Sequence, residues 1–253
     1  MSTLHYTEAG TGTPFVLLHA FPLDSEMWRP QWEALGSRFG IVAIDLPGYG
    51  QSPAQPGWSV DSAADGVAEV LAKLALPRVV VGGLSLGGYV AMAFARRHAD
   101  RLSGLILADT RSETDDAPGK DNRNRLIALT KEFGPSKVYE GMLPKVLCDE
   151  TRAKRPAVVE NVRAIAARQS ADGVIGGLAA LRDRPDATPE LDRIAVPTLI
   201  LVGEEDGVTP PAMSESMAKR IRGSKLVRLP AAGHLSNVEN PAAFNAALTE
   251  FLS

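Results

Sequence analysis

Residues 79–98 read VVVGGLSLGGYVAMAFARRH, and no other stretch of the chain restricts its fold as much. Three valines open it as a buried strand, a glycine-flanked turn follows at residues 83–87, and an apolar run of helical length completes it. A serine at the tip of such a turn, here Ser85, is forced into a strained backbone conformation. Its hydroxyl then projects above the carboxyl edge of the sheet. The turn brings the residues two before and two after the serine close together, so Gly83 and Gly87 meet a steric requirement. The helix is apolar nearly all round, which suits burial beside a central strand. It ends in Arg96, Arg97 and His98, complementing the negative end of its dipole, and its N-terminus offers positive charge to whatever develops above Ser85.

The rest of the chain repeats this alternation. Residues 15–18, 40–44, 79–81, 102–107, 197–202 and 225–229 are short apolar runs that read as strands. Helical stretches separate them: one starts at residues 28–35, and another spans 60–76 with Val67, Val70, Leu71 and Leu74 on one face. Near-continuous apolar strands separated by helices indicate a mostly parallel sheet with helices on both faces. A chain of 253 residues is within the reach of one such domain.

Residues 110–194 interrupt the pattern. Their first part, RSETDDAPGKDNRNR, is polar and turn-forming, and three or four amphipathic helices are predicted after it. Leu126, Leu129 and Phe133 are expected to share one face; Met142, Leu143, Val146 and Leu147 a second; Val158, Val162 and Ile165 a third. An insertion between two strands of a sheet already covered on both faces must sit outside the core. It is predicted to be a cap on a core domain made of residues 1–109 and 195–253.

A serine at its free pKa is a poor nucleophile and needs a base that a third group orients. His5 lies in the N-terminal segment and His98 ends a helix. His234 lies in PAAGHLSNVENP, after the last strand and before a helix capped by Asn240 and Pro241, at the same sheet edge as Ser85. It is the candidate base. The stretch GEEDGVTPP offers Glu204, Glu205 and Asp206 at a strand end. Asp206 is preferred as the orienting acid, with Asp109, ending the preceding strand, as its competitor. An acyl-transfer site also needs donors for an oxyanion. The Leu86 amide is one by position, and the second should come from HAFPLDSEMW after the first strand. Pro22 has no N–H, so Phe21 is the expected donor, with His19 bracing the loop.

The HAFP loop, the DLPGYGQSP turn, GLSLG, GEEDGVTP and GHLSNVENP, in this order, resemble the α/β-hydrolase superfamily over essentially the whole chain. Within it the chain looks most similar to small cofactor-free carboxylesterases and 3-oxoadipate enol-lactonases. The resemblance implies Ser85 as nucleophile, Asp206 as acid, His234 as base and the Phe21 and Leu86 amides as oxyanion hole. It also implies a cap between the sixth and seventh strands. Ala20 stands where glycine is common in the family, and its Cβ narrows the conformations open to the HAFP loop.

The expected activity is hydrolysis of small carboxylic esters or lactones. An acyl transferase or perhydrolase on the same three residues is an alternative, and a ligand-sensing binding protein a more remote one. No cofactor or metal is expected. Phe21, Leu86, Met142, Leu143 and Trp28 are candidate pocket residues, and Arg111 is the candidate cation should the substrate carry a carboxylate. A formal net charge of −3 gives no reason to expect nucleic acid or an anionic membrane as partner. Oligomeric state is not legible. The single cysteine, Cys148, permits no intramolecular disulfide, and MSTLHYTEAG lacks the pattern of a secretory leader, so a soluble cytoplasmic protein is the expectation.

Overall fold

The computed structural model describes residues 4–253; residues 1–3, the start of the stretch read as lacking a secretory leader, lie outside the described residues. The elements run in the order β1 (Tyr6–Ala9), β2 (Thr13–Leu18), α1 (Arg29–Leu35), β3 (Phe39–Ile44), α2 (Val60–Lys73), β4 (Val79–Leu84), α3 (Leu86–Arg97) and β5 (Leu102–Ala108). There follow α4 (Ala117–Phe133), α5 (Ser136–Val146), α6 (Asp149–Lys154), α7 (Pro156–Ala167) and α8 (Ala171–Asp183). The chain then returns through β6 (Thr198–Gly203), α9 (Pro211–Arg220), β7 (Lys225–Leu229), α10 (Ser236–Glu239) and α11 (Pro241–Leu252).

The strands form one sheet in the order β1-β3-β2-β4-β5-β6-β7, in which only β1 is antiparallel to its neighbour. Leu18 pairs with Gly83, Leu84 with Ala108, and Leu201 with Val227, so the strand ends that follow them lie along one carboxyl edge. Each face carries its own apolar layer. Val67, Val70 and Leu71 of α2 and Val90 and Phe94 of α3 pack on one side. Leu35 of α1, Phe244 and Leu248 of α11, with Met27 and Trp28, pack on the other. Strands buried on both faces read as apolar runs for this reason. Among the described residues no helix is long and apolar enough to cross a membrane.

Four local readings need correction. The insertion falls between the fifth and sixth strands, because the described sheet has seven strands and the expected position counts one more before it. It holds five helices rather than three or four, and the first begins inside the stretch read as turn-forming. There Asp116 caps α4 by accepting from the Gly119 amide at 2.8 Å, and Pro118 occupies the first turn, where its missing N–H costs nothing. Phe133 does not join Leu126 and Leu129 in packing; it ends α4 beside Gly134 and is 55% exposed. The helix read at 60–76 stops at Lys73, since Ala75 turns into the left-handed region at φ 53°.

A buried ion cluster ties the two ends of the insertion together. Asp115 accepts from Arg111 and Arg184 on one oxygen, at 2.5 and 2.8 Å, and from Arg123 of α4 on the other at 2.9 Å. Burial alone would raise this carboxyl, but the Arg184 hydrogen bond and the Arg123 charge hold it down at about 2. A carboxyl whose folded pKa is depressed stabilises the fold above its unfolded value and loses that contribution as the pH falls through the folded one. Asp115→Asn should therefore cost about 2 kcal/mol at pH 7, or more because Arg184 stays buried without its counter-charge. In thermal melts the gap between wild type and variant should narrow as the pH is lowered from 5 towards 2. A gap independent of pH would mean that charge is not what Asp115 contributes.

Candidate active site

The turn after β4 is too narrow for side chains at its shoulders. A methyl group on Gly83 would overlap the carbonyl of Gly87, and one on Gly87 would overlap the carbonyl of Leu18. Between them Ser85 sits at φ 53° and ψ −110°, the left-handed backbone that its position in the motif predicts. Its amide donates to the Ala108 carbonyl at 3.0 Å, and its carbonyl accepts from the Thr110 hydroxyl at 3.0 Å, so the end of β5 supports the turn from both sides.

Two strands further along the edge, the loop after β6 carries Asp206 and the loop after β7 carries His234, both 3% exposed. His234 Nε2 lies 2.8 Å from Ser85 Oγ. On the other side of the ring, Nδ1 lies 2.9 and 3.1 Å from the two Asp206 oxygens. Asp206 also accepts from the amides of Val208 and Thr209 at 2.8 and 2.9 Å and from the Thr209 hydroxyl at 2.7 Å. Burial alone would raise the Asp206 carboxyl. The charge and hydrogen bond of His234, with the two bonds from Thr209, outweigh it and hold the carboxyl below its ordinary value. A carboxylate so placed fixes the proton on Nδ1 and leaves Nε2 free to accept from the serine.

Asp109, the competing acid, does not bond to His234. It is fully buried at φ 44°, accepts from the Gly203 amide at 2.8 Å and is bonded to the Ser236 hydroxyl. Burial pushes this carboxyl well above its ordinary value, and the charge of nearby Asp206 adds to the push. It links the end of β5 to the start of the Asp206 loop and to the helix after His234.

The HAFP loop lies opposite. His19 is fully buried; its Nδ1 donates to the Ala20 carbonyl at 3.0 Å and its Nε2 accepts from the Leu46 amide at 2.9 Å. Burial lowers its pKa, so the ring braces the loop as a neutral group. Neither the Phe21 nor the Leu86 amide donates to another group among the described residues, and the Phe21–Pro22 bond is cis. The Leu86 amide, next in the chain to Ser85, and the Phe21 amide, in the loop after the neighbouring strand β2, are backbone donors of the kind an oxyanion requires.

Phe21, Met142 and Leu143 line one small cavity together with Pro22, Leu23, Tyr139, Val146, Val162, Ala166 and Leu235; its volume of about 10 Å³ is room for one water molecule, and neither Ser85 nor His234 is among the lining residues. The other candidate lining residues lie elsewhere. Leu86 puts a fully buried side chain into the core. Trp28 is 1% exposed and stacks at a tilt on Phe244, 6.0 Å between ring centres, inside the layer beneath the sheet. Arg111 is engaged with the buried Asp115 carboxylate, so it is not an open cation. Thr209, Val162 and Leu235 were not anticipated. Thr209, three residues beyond Asp206, fits the local pattern in which a hydroxyl bonds back to an aspartate in a turn, whereas the other two meet only in three dimensions. Among the described residues no three His, Cys, Asp or Glu side chains are grouped to hold a metal ion.

The family model described as the alpha/beta hydrolase fold matches residues 13–241. The solved structure of a thermophilic esterase from Thermogutta terrifontis superimposes with a TM-score of 0.96 at 40% identity, covering 98% of this chain and 92% of its own. A pimeloyl-[acyl-carrier protein] methyl ester esterase of Neisseria meningitidis serogroup B is 30% identical over 93% of this chain and 91% of its own length. The 3-oxoadipate enol-lactonase 2 of Acinetobacter baylyi is 28% identical over 97% and 91%.

The geometry predicts how the two buried aspartates differ. A fluorophosphonate probe should label Ser85 in the wild type and not in Ser85→Ala. Asp206→Asn, which offers the wrong tautomer to His234, should slow labelling by roughly 10³- to 10⁴-fold. Asp109→Asn keeps an acceptor for the Gly203 amide and leaves the Ser236 hydroxyl, which donates to Asp109, to turn and accept from the new amide; it should slow labelling by less than about tenfold. Intact-protein mass spectrometry over time reads all four. The reverse ranking of the two aspartates would transfer the orienting role to Asp109.

Proposed function

The chain belongs to the alpha/beta hydrolase family, and we propose that it is a carboxylic ester hydrolase acting on small uncharged esters through Ser85, His234 and Asp206. The observation that carries the reading is the unbroken chain of hydrogen bonds from Ser85 Oγ through the His234 ring to Asp206, at 2.8 and 2.9 Å. The names of the relatives, esterases and enol-lactonases, share one reacting bond, the carboxylic ester, and support the same reaction class.

Ser85 Oγ attacks the ester carbonyl while its proton passes to His234 Nε2, and the carbonyl oxygen takes up negative charge facing the Phe21 and Leu86 amides. Asp206 holds Nδ1 and stabilises the imidazolium that forms. As the tetrahedral intermediate collapses, the bond to the alkoxide breaks and His234 returns its proton to that oxygen. Water then attacks the acyl-Ser85 ester with His234 again accepting the proton, and the acid leaves as Oγ is reprotonated. Residues 110–194 act as a cap on the core formed by 1–109 and 195–253. Helices α5 and α7 of this cap close the apolar cavity, whose lining carries no charged side chain.

This lining, and the engagement of Arg111, favour neutral acyl groups over dicarboxylic ones. A second substrate class, uncharged lactones, rests on the similarity to enol-lactonases, since ring opening uses the same acyl-enzyme steps.

Steady-state hydrolysis of p-nitrophenyl acetate, butyrate and octanoate should show turnover that falls from butyrate to octanoate. Ser85→Ala should remove on the order of 10⁶ of the rate. Leu143→Ala should move the preference towards octanoate, and Arg111→Ala should leave kcat/KM for the butyrate within about threefold. Turnover equal in wild type and Ser85→Ala would end the esterase reading. A large loss on Arg111→Ala confined to substrates bearing a carboxylate would restore the cation role to that residue.

A further inference from the structure

Glu239 carries a fully buried carboxyl group to which, among the described residues, no lysine, arginine or histidine side chain is bonded. A polar group taken out of water in this way must be compensated by hydrogen bonds. Its two oxygens are used separately. Oε1 accepts from the amide of Gly233, the residue before His234, at 2.8 Å. Oε2 accepts from the amide of Cys148, in the turn between α5 and α6, at 2.8 Å.

Further contacts join the same two segments. The Leu235 amide donates to the Val146 carbonyl at 3.2 Å, and the Arg155 guanidinium donates to the Glu239 carbonyl. Gly233 lies so close to the turn that a Cβ there would stand 2.9 Å from the Cys148 nitrogen and 3.3 Å from the Leu147 carbonyl carbon. The loop that carries His234 is therefore pressed onto the insertion on both sides of the histidine. The end of β6 holds the same loop from the other side: a Cβ on Gly203 would overlap the Gly233 carbonyl oxygen, and the Glu205 amide donates to the Ala232 carbonyl at 2.9 Å.

The structure assigns to Glu239, we infer, the part of a positioning residue that clamps the turn at residues 146–148 onto the loop of His234, so that the imidazole is in register with Ser85 only while that turn is seated. The inference rests on the proposed role of His234 as base. Its physical content is a shared acceptor. Both backbone N–H groups are buried, and neither has another partner within reach among the described residues, so losing the carboxylate orphans both at once. Val146 and Leu235 also line the small apolar cavity under α5 and α7, so the clamp and that cavity share a wall.

Two variants and two readouts test this. Glu239→Gln keeps the size of the side chain but turns an amide donor towards one of the two N–H groups, and Glu239→Ala removes both acceptors. Hydrolysis of p-nitrophenyl butyrate should fall about tenfold in kcat for Gln and about a hundredfold for Ala, with KM within about threefold of wild type. Amide hydrogen exchange followed by mass spectrometry should speed up in residues 146–152 and 233–239 together, with β4 and β5 unchanged. In NMR spectra the low-field Nδ1–H proton of His234, identified by its absence in Asp206→Asn, should weaken in both variants. A lower melting temperature with kcat unchanged and the Nδ1–H signal intact would reduce Glu239 to a structural role and overturn the inference. So would faster exchange in only one of the two segments. If wild type shows no Ser85-dependent turnover, the esterase reading fails, while exchange and the Nδ1–H signal still decide whether the clamp holds His234.

Discussion

Ser85 is held by crowding. The turn after β4 admits no side chain at positions 83 and 87, and the left-handed backbone of Ser85 survives only because neighbouring carbonyls and the end of β5 leave it no alternative. A strain of on the order of 1–3 kcal/mol is stored there, and it needs rigid surroundings to persist. The central position of β4, with strands on both sides and helices above and below, supplies them. Everything else at the carboxyl edge is measured from that point: the imidazole must arrive within 2.8 Å of one oxygen atom.

The loops that deliver the imidazole and its aspartate are not rigid elements, and the structure compensates with buried acceptors. Asp206 gathers two amides and a hydroxyl besides the histidine, Asp109 joins the ends of β5 and β6 to the start of α10, and Glu239 gathers two amides from distant parts of the chain. Three carboxyl groups with no lysine or arginine bonded to them thus lie within one edge of the sheet. The environments differ in direction: His234 and Thr209 favour the ionised Asp206, whereas the desolvated Asp109 is pushed towards its neutral form. Two adjacent acids set apart in this way can serve as one charge and one uncharged brace.

Much of this is legible in the amino-acid sequence alone. The strand–turn–helix at 79–98, the histidine after the last strand and the acid after β6 each sit where turn chemistry meets an apolar run, and such junctions are local signals. The choice between Asp206 and Asp109 was not local, because both end apolar strands; only the partners of each, Thr209 and His234 against Gly203 and Ser236, separate them. Trp28 and Arg111 were misplaced for the same reason. Phe244, which covers Trp28, lies at the other end of the chain, and the arginines that converge on Asp115 come from positions 111, 123 and 184. The insertion was visible as an interruption, yet its first helix was hidden by a polar composition and a Pro-Gly pair that a helix tolerates in its first turn.

The clamp on the insertion has a property that follows from its being made of main-chain atoms. Glu239 reads the amide of residue 148, Leu235 reads the carbonyl of residue 146, and neither bond depends on the side chain at those positions. The insertion is also a single continuous stretch that leaves after β5 and returns before β6, two strands that are neighbours in the sheet. Replacement of Met142, Leu143 or Val162 can therefore reshape the small cavity under α5 and α7 without removing either main-chain bond. For protein engineering, the segment has two adjacent splice points and a latch whose bonds at residues 146 and 148 use main-chain atoms, while Arg155, Arg168 and Gln169 add side-chain bonds that a replacement would have to keep.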